Sequence, residues 1–126
     1  MTRRGFVAAA AAAPFVLTAQ EKGTAKLPVI GEGDHRYEVI HDWGQLPSHI
    51  ALGNTHSVCE DASGHIYIHH TVHASSKSDD SVVVFDAKGK FVRSWGSQYK
   101  GGAHGMQLRK EGKDEYLYFC DQLHGL

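Results

Sequence analysis

The stretch that decides the fold reads His56-Ser-Val-Cys-Glu-Asp-Ala-Ser-Gly64, His65-Ile-Tyr-Ile-His-His70 and, after a polar gap, Ser81-Val-Val-Val-Phe-Asp86, Ala87-Lys-Gly89 and Lys90-Phe-Val-Arg-Ser-Trp-Gly96. Its apolar runs are rich in Val, Ile, Phe and Tyr, which fit a pleated surface. Asp61–Gly64 and Asp86–Gly89 are Asp-x-x-Gly turns, in which Asp caps the backbone and Gly accepts a positive φ. With a first strand around His56–Glu60, the pattern predicts four antiparallel strands in one blade-like sheet.

Several parts of this stretch recur in the same order about 50 residues further along the chain. The matched pairs are Trp43-Gly44 with Trp95-Gly96, His56 with His104, Gly64 with Gly112, Ile66–His70 with Leu117–Asp121, and His73 with His124. A period of this length with four strands per unit is typical of a propeller array. The sequence therefore predicts an all-β fold, a fragment of a β-propeller built of four-stranded antiparallel blades.

The length of the chain limits how much of a propeller it can hold. A closed propeller needs at least four blades of this size, whereas the chain has 126 residues. We expect residues 37–126 to supply a closing strand at Tyr37–Trp43, one full blade and half of a second, so that the sequence is a partial chain. Residues 20–36, which contain Pro28 and several glycines, are predicted to form an irregular linker.

Residues 1–19 have the pattern of an export signal. Arg3 and Arg4 precede the short apolar segment Ala8–Leu17, and Ala19 is a small residue near the expected cleavage point. The apolar segment is too short for an ordinary transmembrane span. The paired arginines resemble a twin-arginine signal, and the alternative is an ordinary secretory signal with two arginines by chance. We favour the twin-arginine interpretation, which predicts a bacterial protein exported to the periplasm or the extracellular space, with no stable membrane span after cleavage.

Charge and cysteine content argue against two classes of protein. The formal net charge of −1 leaves no basic surface of the kind that binds nucleic acid. Cys59 and Cys120 belong to no Cys-x-x-Cys pair, which argues against a zinc ribbon. An oxidising compartment permits a disulfide, but the two cysteines fall in non-equivalent strands, and we expect buried free thiols. The ten histidines are a high content, and they are either exposed or structural residues or, for some of them, metal ligands.

The strand and turn pattern of His56–Gly96 resembles an NHL-repeat blade. Such a blade has a short first strand, Asp-x-x-Gly, an Ile-Tyr-Val strand, a Val-x-Val-Phe-Asp strand, Gly-Lys and a closing Phe-x-x-x-Trp/Phe-Gly, and the resemblance covers Tyr37–Leu126. Within that family, His104-Gly105-Met106 followed by Tyr118–Asp121 and His124 is similar to a blade of the peptidyl-α-hydroxyglycine α-amidating lyases. The resemblance implies a six-bladed propeller with a metal at its central channel.

The same resemblance assigns metal ligation to His104, because the His104-Gly105 pair matches the family's ligand position. His56 begins the equivalent strand of the preceding unit and is a second candidate, although the lyases have a non-ligand residue there. A catalytic zinc typically takes three protein ligands, and neutral imidazole is a common one, so zinc is the expected metal and further blades would supply the remaining ligands. The resemblance also implies a structural calcium bound by the backbone carbonyls of Val58 and Met106. The alternative for both histidines is hydrogen bonding that positions a loop.

This chain departs from the lyases at His70, where they carry a catalytic arginine. An imidazole in that place is a candidate acid or base, because its unperturbed pKa lies near 6.5. Strand alternation puts His69 and His70 on opposite faces, and we expect His69 to be a solvated loop residue. Asp121 and His124 match the family's Asp-x-x-His segment, and the simplest role for both is to hold a loop by hydrogen bonds.

Two classes of function remain open at this point. The first is a metal-dependent lyase, in which zinc would activate a hydroxyl of a carbinolamide-type substrate. The second is a non-enzymatic propeller that binds a protein, a peptide or a glycan on one face. The fold does not choose between them, since function depends on the site. Histidines in the further blades would favour the lyase, and their absence would favour the binding module.

Overall fold

The computed structural model describes residues 27–123 and Gly125. The predicted export signal, the first part of the predicted linker and His124 lie outside the described residues, so what we expect of them stays a prediction. The described part is all-β with antiparallel sheets and no α-helix, as predicted. None of its helical segments is long and apolar enough to cross a membrane. The chain divides into two compact units, residues 1–39 and residues 40–126.

The described part of the first unit is a short β-hairpin. Strand β1 (Val29–Ile30) pairs antiparallel with β2 (Tyr37–Glu38). Gly31 turns the chain at a φ of 90°, and a Cβ there would overlap the His35 carbonyl oxygen, so the tight turn requires glycine. The predicted strand over Tyr37–Trp43 is therefore limited to Tyr37–Glu38. The linker predicted to be irregular contains β1, because the chain folds back at Gly31.

The second unit contains the predicted four-stranded sheet. Its strands are β3 (Thr55–Glu60), β4 (Ile66–His70), β5 (Val82–Phe85) and β6 (Phe91–Trp95), antiparallel and adjacent in chain order. This order is that of a meander, in which each connection joins neighbouring strands. The prediction of four strands within His56–Gly96 is confirmed.

Both Asp-x-x-Gly turns of this sheet have the predicted chemistry. Asp61 Oδ1 accepts hydrogen bonds from the backbone N–H groups of Ser63 and His65, each at 2.9 Å. In the second turn, Asp86 Oδ1 accepts from Lys88 and Lys90 at 2.9 and 3.0 Å. These two backbone bonds hold the pKa of Asp86 below its usual value.

The core of the second unit lies on one face of the sheet. All four residues of β5 are buried, and Phe85 and Val83 pack with Ile50 from the segment before β3. The partly buried residues around them are Trp43, Leu46, Leu52, Ile68 and Phe91. The Trp43 ring lies 5.9 Å from that of Phe85 in a tilted arrangement. The segment before β3 thus covers one face of the sheet instead of adding a strand to it.

A second hairpin follows the sheet and repeats its first two strands. Strand β7 (Ala103–Glu111) pairs antiparallel with β8 (Asp114–Asp121) around the turn at Gly112. The register repeats that of β3 and β4. Ala103 lies opposite Asp121, as Thr55 lies opposite His70. Met106 lies opposite Phe119, as Val58 lies opposite Ile68. The repeat expected from the sequence is therefore present in the strand pairing.

The hairpin packs on the opposite face of the sheet through one aromatic residue. The Phe119 ring makes edge contacts with His69, Trp95 and Tyr99 at centroid distances of 5.2, 5.9 and 4.9 Å. Tyr99 belongs to the single-turn 3₁₀ helix Ser97–Tyr99, which connects β6 to the hairpin. Both faces of the four-stranded sheet are thus partly covered.

Candidate functional site

The candidate site lies where β3 and β7 begin. Each of these strands is irregular at that point. The pairing of β3 with β4 shifts register between Thr55 and Ser57, and the pairing of β7 with β8 shifts between Ala103 and Met106. His56 and His104 lie inside these two irregular segments. A β-bulge re-aims the side chains that it carries and is common beside functional sites.

The two irregular segments bring His56 and His104 together. Their imidazole rings are stacked with centroids 5.8 Å apart and planes inclined by 26°, and both residues are exposed. Ser57 Oγ donates a hydrogen bond of 2.8 Å to the His104 carbonyl oxygen, which ties β3 to β7 beside the pair. The structure thus places the two predicted metal ligands next to each other, although they are 48 residues apart in the chain.

The donor set of this pair suits a metal but is incomplete. Within residues 27–123 and Gly125, no group of three or more His, Cys, Asp or Glu side chains is arranged to hold a metal ion. Imidazole nitrogen is a good ligand for zinc, and a catalytic zinc site typically takes three protein ligands. His56 and His104 therefore fit two positions of such a set.

The residues predicted to bind calcium through their carbonyl groups occupy equivalent places. Val58 lies opposite Ile68 in the pairing of β3 with β4, and Met106 lies opposite Phe119 in the pairing of β7 with β8. The Val58 side chain is 65% exposed and lines an open groove together with His56 and Ser57. The predicted calcium site stays a prediction.

His70 is buried at the end of β4 and has a defined hydrogen-bonding role. Its Nδ1 accepts from the backbone N–H groups of Val72 at 3.0 Å and Gly53 at 3.3 Å. Nδ1 is therefore unprotonated, and in the neutral ring the proton sits on Nε2, which is buried with no partner among the described residues. Burial and the neighbouring His69 lower the pKa of His70 to about 4, whereas Asp80 opposes the shift.

His69 is buried as well, so the expectation of a solvated loop residue is wrong. It is fully enclosed, because β4 is an interior strand and the Phe119 ring of the second hairpin covers this face. Among the residues that the structure describes, neither His69 ring nitrogen has a hydrogen-bond partner of good geometry. Burial lowers the pKa of His69; Asp121 and the backbone of His104 oppose this shift, and His56 adds to it.

The segment after β4 holds a strained residue that sequence reasoning missed. Val72 has a φ of 66°, which is unfavourable for a β-branched side chain. The N–H of Val72 donates a hydrogen bond to His70 Nδ1. Gly53 lies against the same segment, and a Cβ at Gly53 would be 2.5 Å from Thr71 Oγ1 and 2.9 Å from Val72 backbone atoms. Nothing in the sequence around Val72 signals this conformation, since it results from the packing of two distant segments.

Asp121 occupies in the hairpin β7–β8 the place that His70 occupies in β3–β4, and it acts on the backbone in the same way. Its Oδ1 accepts from the N–H of Leu123 at 2.8 Å, two residues further on, as His70 accepts from Val72. The side chain is 2% exposed and lies against Gly102, where a Cβ would overlap it. The simple role of holding a loop is thus visible for Asp121.

Both cysteines are free thiols, as expected, but neither is buried. Cys59 is partly exposed in β3 and Cys120 is exposed in β8. Burial, followed by the charge of Asp61, raises the pKa of the Cys59 thiol above its ordinary value.

Comparison of the chain with models of protein families, with curated proteins and with solved structures finds no match. What the chain does is therefore inferred from the geometry of the described residues and from the sequence resemblance.

Proposed function

We propose that the chain is part of an exported NHL-type β-propeller, six-bladed when complete, that acts as a metal-dependent lyase similar to the peptidyl-α-hydroxyglycine α-amidating lyases. In this proposal, β3 and β7 are the innermost strands of adjacent blades. The observation that carries it is the pairing of His56 and His104, which lie side by side and exposed at equivalent positions of two successive units.

The repeated strand register supports the architectural part of the proposal. The hairpin β7–β8 has the same strand pairing as β3–β4, and it packs on the four-stranded sheet. Phe119 of β8 covers the face of the sheet that carries His69. A repeat unit cannot bury its apolar face alone, and stacking of this kind continues around a propeller ring. Innermost strands would then line a common channel, where each blade can contribute one ligand.

The residues present would hold zinc through His104 and His56, with further histidines from other blades. Zinc bound there would lower the pKa of a coordinated hydroxyl group. In a carbinolamide-type substrate the hydroxyl oxygen loses its proton, a C=O bond forms as the C–N bond breaks, and the departing amide nitrogen takes up a proton. The products are an aldehyde and an amide, and no oxidant or reductant is needed.

His70 would contribute through Nε2, since its Nδ1 already accepts two backbone hydrogen bonds. Nε2 carries the proton of the neutral ring and has no partner within the described part of the chain. A buried donor without a partner is rare in native proteins and suits a bound water or a substrate oxygen. We accordingly propose His70 as the residue that replaces the family's arginine.

Zinc content of the complete protein tests the proposal. We expect a stoichiometric zinc in the wild-type protein and a clear loss in His104→Ala, because removing one of three protein ligands weakens both affinity and geometry. The exposed His49, whose imidazole takes part in no hydrogen bond of the described chain, provides the control His49→Ala. His70→Ala should keep its zinc but lose turnover of a carbinolamide substrate. A zinc content that is the same in His104→Ala as in the wild-type protein would contradict the proposal.

The second candidate is a binding module for a protein, a peptide or a glycan. It is favoured by one observation: His70, at the position of the family's catalytic arginine, is buried and presents no exposed cation. A complete protein without bound metal would support this function. A calcium held by the Val58 and Met106 carbonyls is compatible with both candidates, and a fall in melting temperature on chelation would reveal it.

A further inference from the structure

One side-chain hydrogen bond reaches from β3 to the backbone of a candidate ligand in β7. Ser57 Oγ donates to the His104 carbonyl oxygen over 2.8 Å. Ser57 directly follows His56 in the irregular segment of β3. The bond therefore joins the backbone of one imidazole-bearing residue to that of the other, across two strands that share no ladder of backbone hydrogen bonds.

The repeat itself does not require a hydroxyl at this position. The residue equivalent to Ser57 in the hairpin β7–β8 is Gly105, which offers no side-chain donor, and a Cβ at Gly105 would meet no atom within 4 Å. An exposed hydrogen bond of this kind contributes little to the free energy of folding. Ser57 is thus a departure from the repeat that contributes little to stability and contacts His104.

We propose that Ser57 is a positioning residue that holds the His56 and His104 imidazoles side by side. Its hydrogen bond fixes the irregular segment of β7 relative to that of β3, and each ring is separated from this anchored backbone by only two side-chain torsions. The use of the pair as part of a zinc site rests on the proposed function. The geometric role of Ser57 does not, because it follows from the hydrogen bond and the stacked rings alone.

Substitution of Ser57 tests this role with two readouts in the full chain. The ring protons of His56 and His104 should show a nuclear Overhauser effect in the wild-type protein, since their centroids are 5.8 Å apart. Ser57→Ala should remove this effect with only a small change in the melting temperature. Ser57→Thr keeps the hydroxyl and should retain it. Zinc affinity of the complete protein should fall about tenfold in Ser57→Ala, as for other residues that orient metal ligands, and recover in Ser57→Thr.

Each outcome distinguishes positioning from the proposed function. An Overhauser effect that survives in Ser57→Ala, or that is lost in both variants, would overturn the role of the hydroxyl. If the effect is lost in Ser57→Ala alone, the positioning role holds, whatever zinc does. If zinc binding then responds to neither Ser57→Ala nor His104→Ala, it is the proposed function that fails. Gly105→Ala is the matched control and should leave the ring contact unchanged.

Discussion

At the scale of single residues, His70 shows how burial changes what a side chain can do. The sequence presents it as one member of a His-His pair at the end of a strand, and the structure converts it into a neutral acceptor for two backbone N–H groups. Protonation of Nδ1 would leave both N–H groups without an acceptor and would place a charge in a buried site beside His69. His70 therefore connects the stability of the Val72 segment to pH.

We predict that the chain loses stability as the pH falls from about 6.5 to about 4, in part because of His70. The unfolded imidazole binds a proton near pH 6.5, whereas the folded one does so only near pH 4. In this window the unfolded state binds more protons than the folded state. The free energy of unfolding therefore rises with pH, by about 3 kcal/mol over the whole window. Urea unfolding at pH 7.5 and 4.5 measures this difference.

The variant His70→Asn isolates the contribution of this one group. The Asn side-chain oxygen can replace Nδ1 as the acceptor, and it does not titrate. The acid-induced loss of unfolding free energy should therefore be smaller than in the wild-type protein by about 3 kcal/mol. His49→Asn, at an exposed position, should behave as the wild-type protein does. An identical pH dependence in His70→Asn and wild-type protein would rule out His70 as the origin.

At the scale of elements, the hairpin β7–β8 depends on the sheet for its apolar contacts. Phe119 supplies the aromatic contact with His69, Trp95 and Tyr99, and Ala62 N donates to Glu115 Oε2 at the outer end. An isolated two-stranded hairpin is at best marginally stable in water. Its docking on the sheet is therefore what keeps β7, and with it His104, next to β3.

Phe119→Ala should release the hairpin from the sheet. The ring is partly exposed, so we expect a loss of about 2 kcal/mol, below the range for a fully buried Phe. Amide hydrogen exchange should accelerate in β7 and β8 more than in β4 and β5. Tyr116 lies in the same strand, is 48% exposed and makes no such aromatic contact, so Tyr116→Ala is the control with little expected effect. Equal protection of the hairpin in both variants would contradict the assigned docking role.

At the scale of the whole molecule, the proposed protein is an exported chain that folds as a ring of repeated units. The twin-arginine route carries proteins that are already folded, which suits a domain whose strands from distant parts of the sequence must pair before they are stable. The residues involved, Arg3 and Arg4, precede the described part of the chain.

The double substitution Arg3→Lys with Arg4→Lys should block export if the twin-arginine route is used. A general secretory signal should tolerate the change, because the positive charge of its first region is kept. Fractionation of cells that express the two forms gives the result. Normal export of the double variant would show that the chain uses the general route.

The sequence by itself determined the strands, the turns and the repeat. Alternating β-branched residues and two Asp-x-x-Gly turns are local signals, and a strand pattern depends on neighbours within a few residues. The four strands of His56–Gly96 and the hairpin that follows them were predictable for this reason. The strand expected over Tyr37–Trp43 was not, because the same apolar residues can pack on a face, as Trp43 does on Phe85, instead of joining an edge.

Only the tertiary structure decided which polar residues are buried and which meet. His69 reads as a polar residue at a strand end, yet it is enclosed because a hairpin that begins more than thirty residues later packs over it. His56 and His104 were candidates on separate strands, and their stacking arises from two register shifts that no local pattern encodes. The physical reason is that burial and side-chain contact depend on residues distant in the sequence, whereas strand and turn propensity depend on near ones.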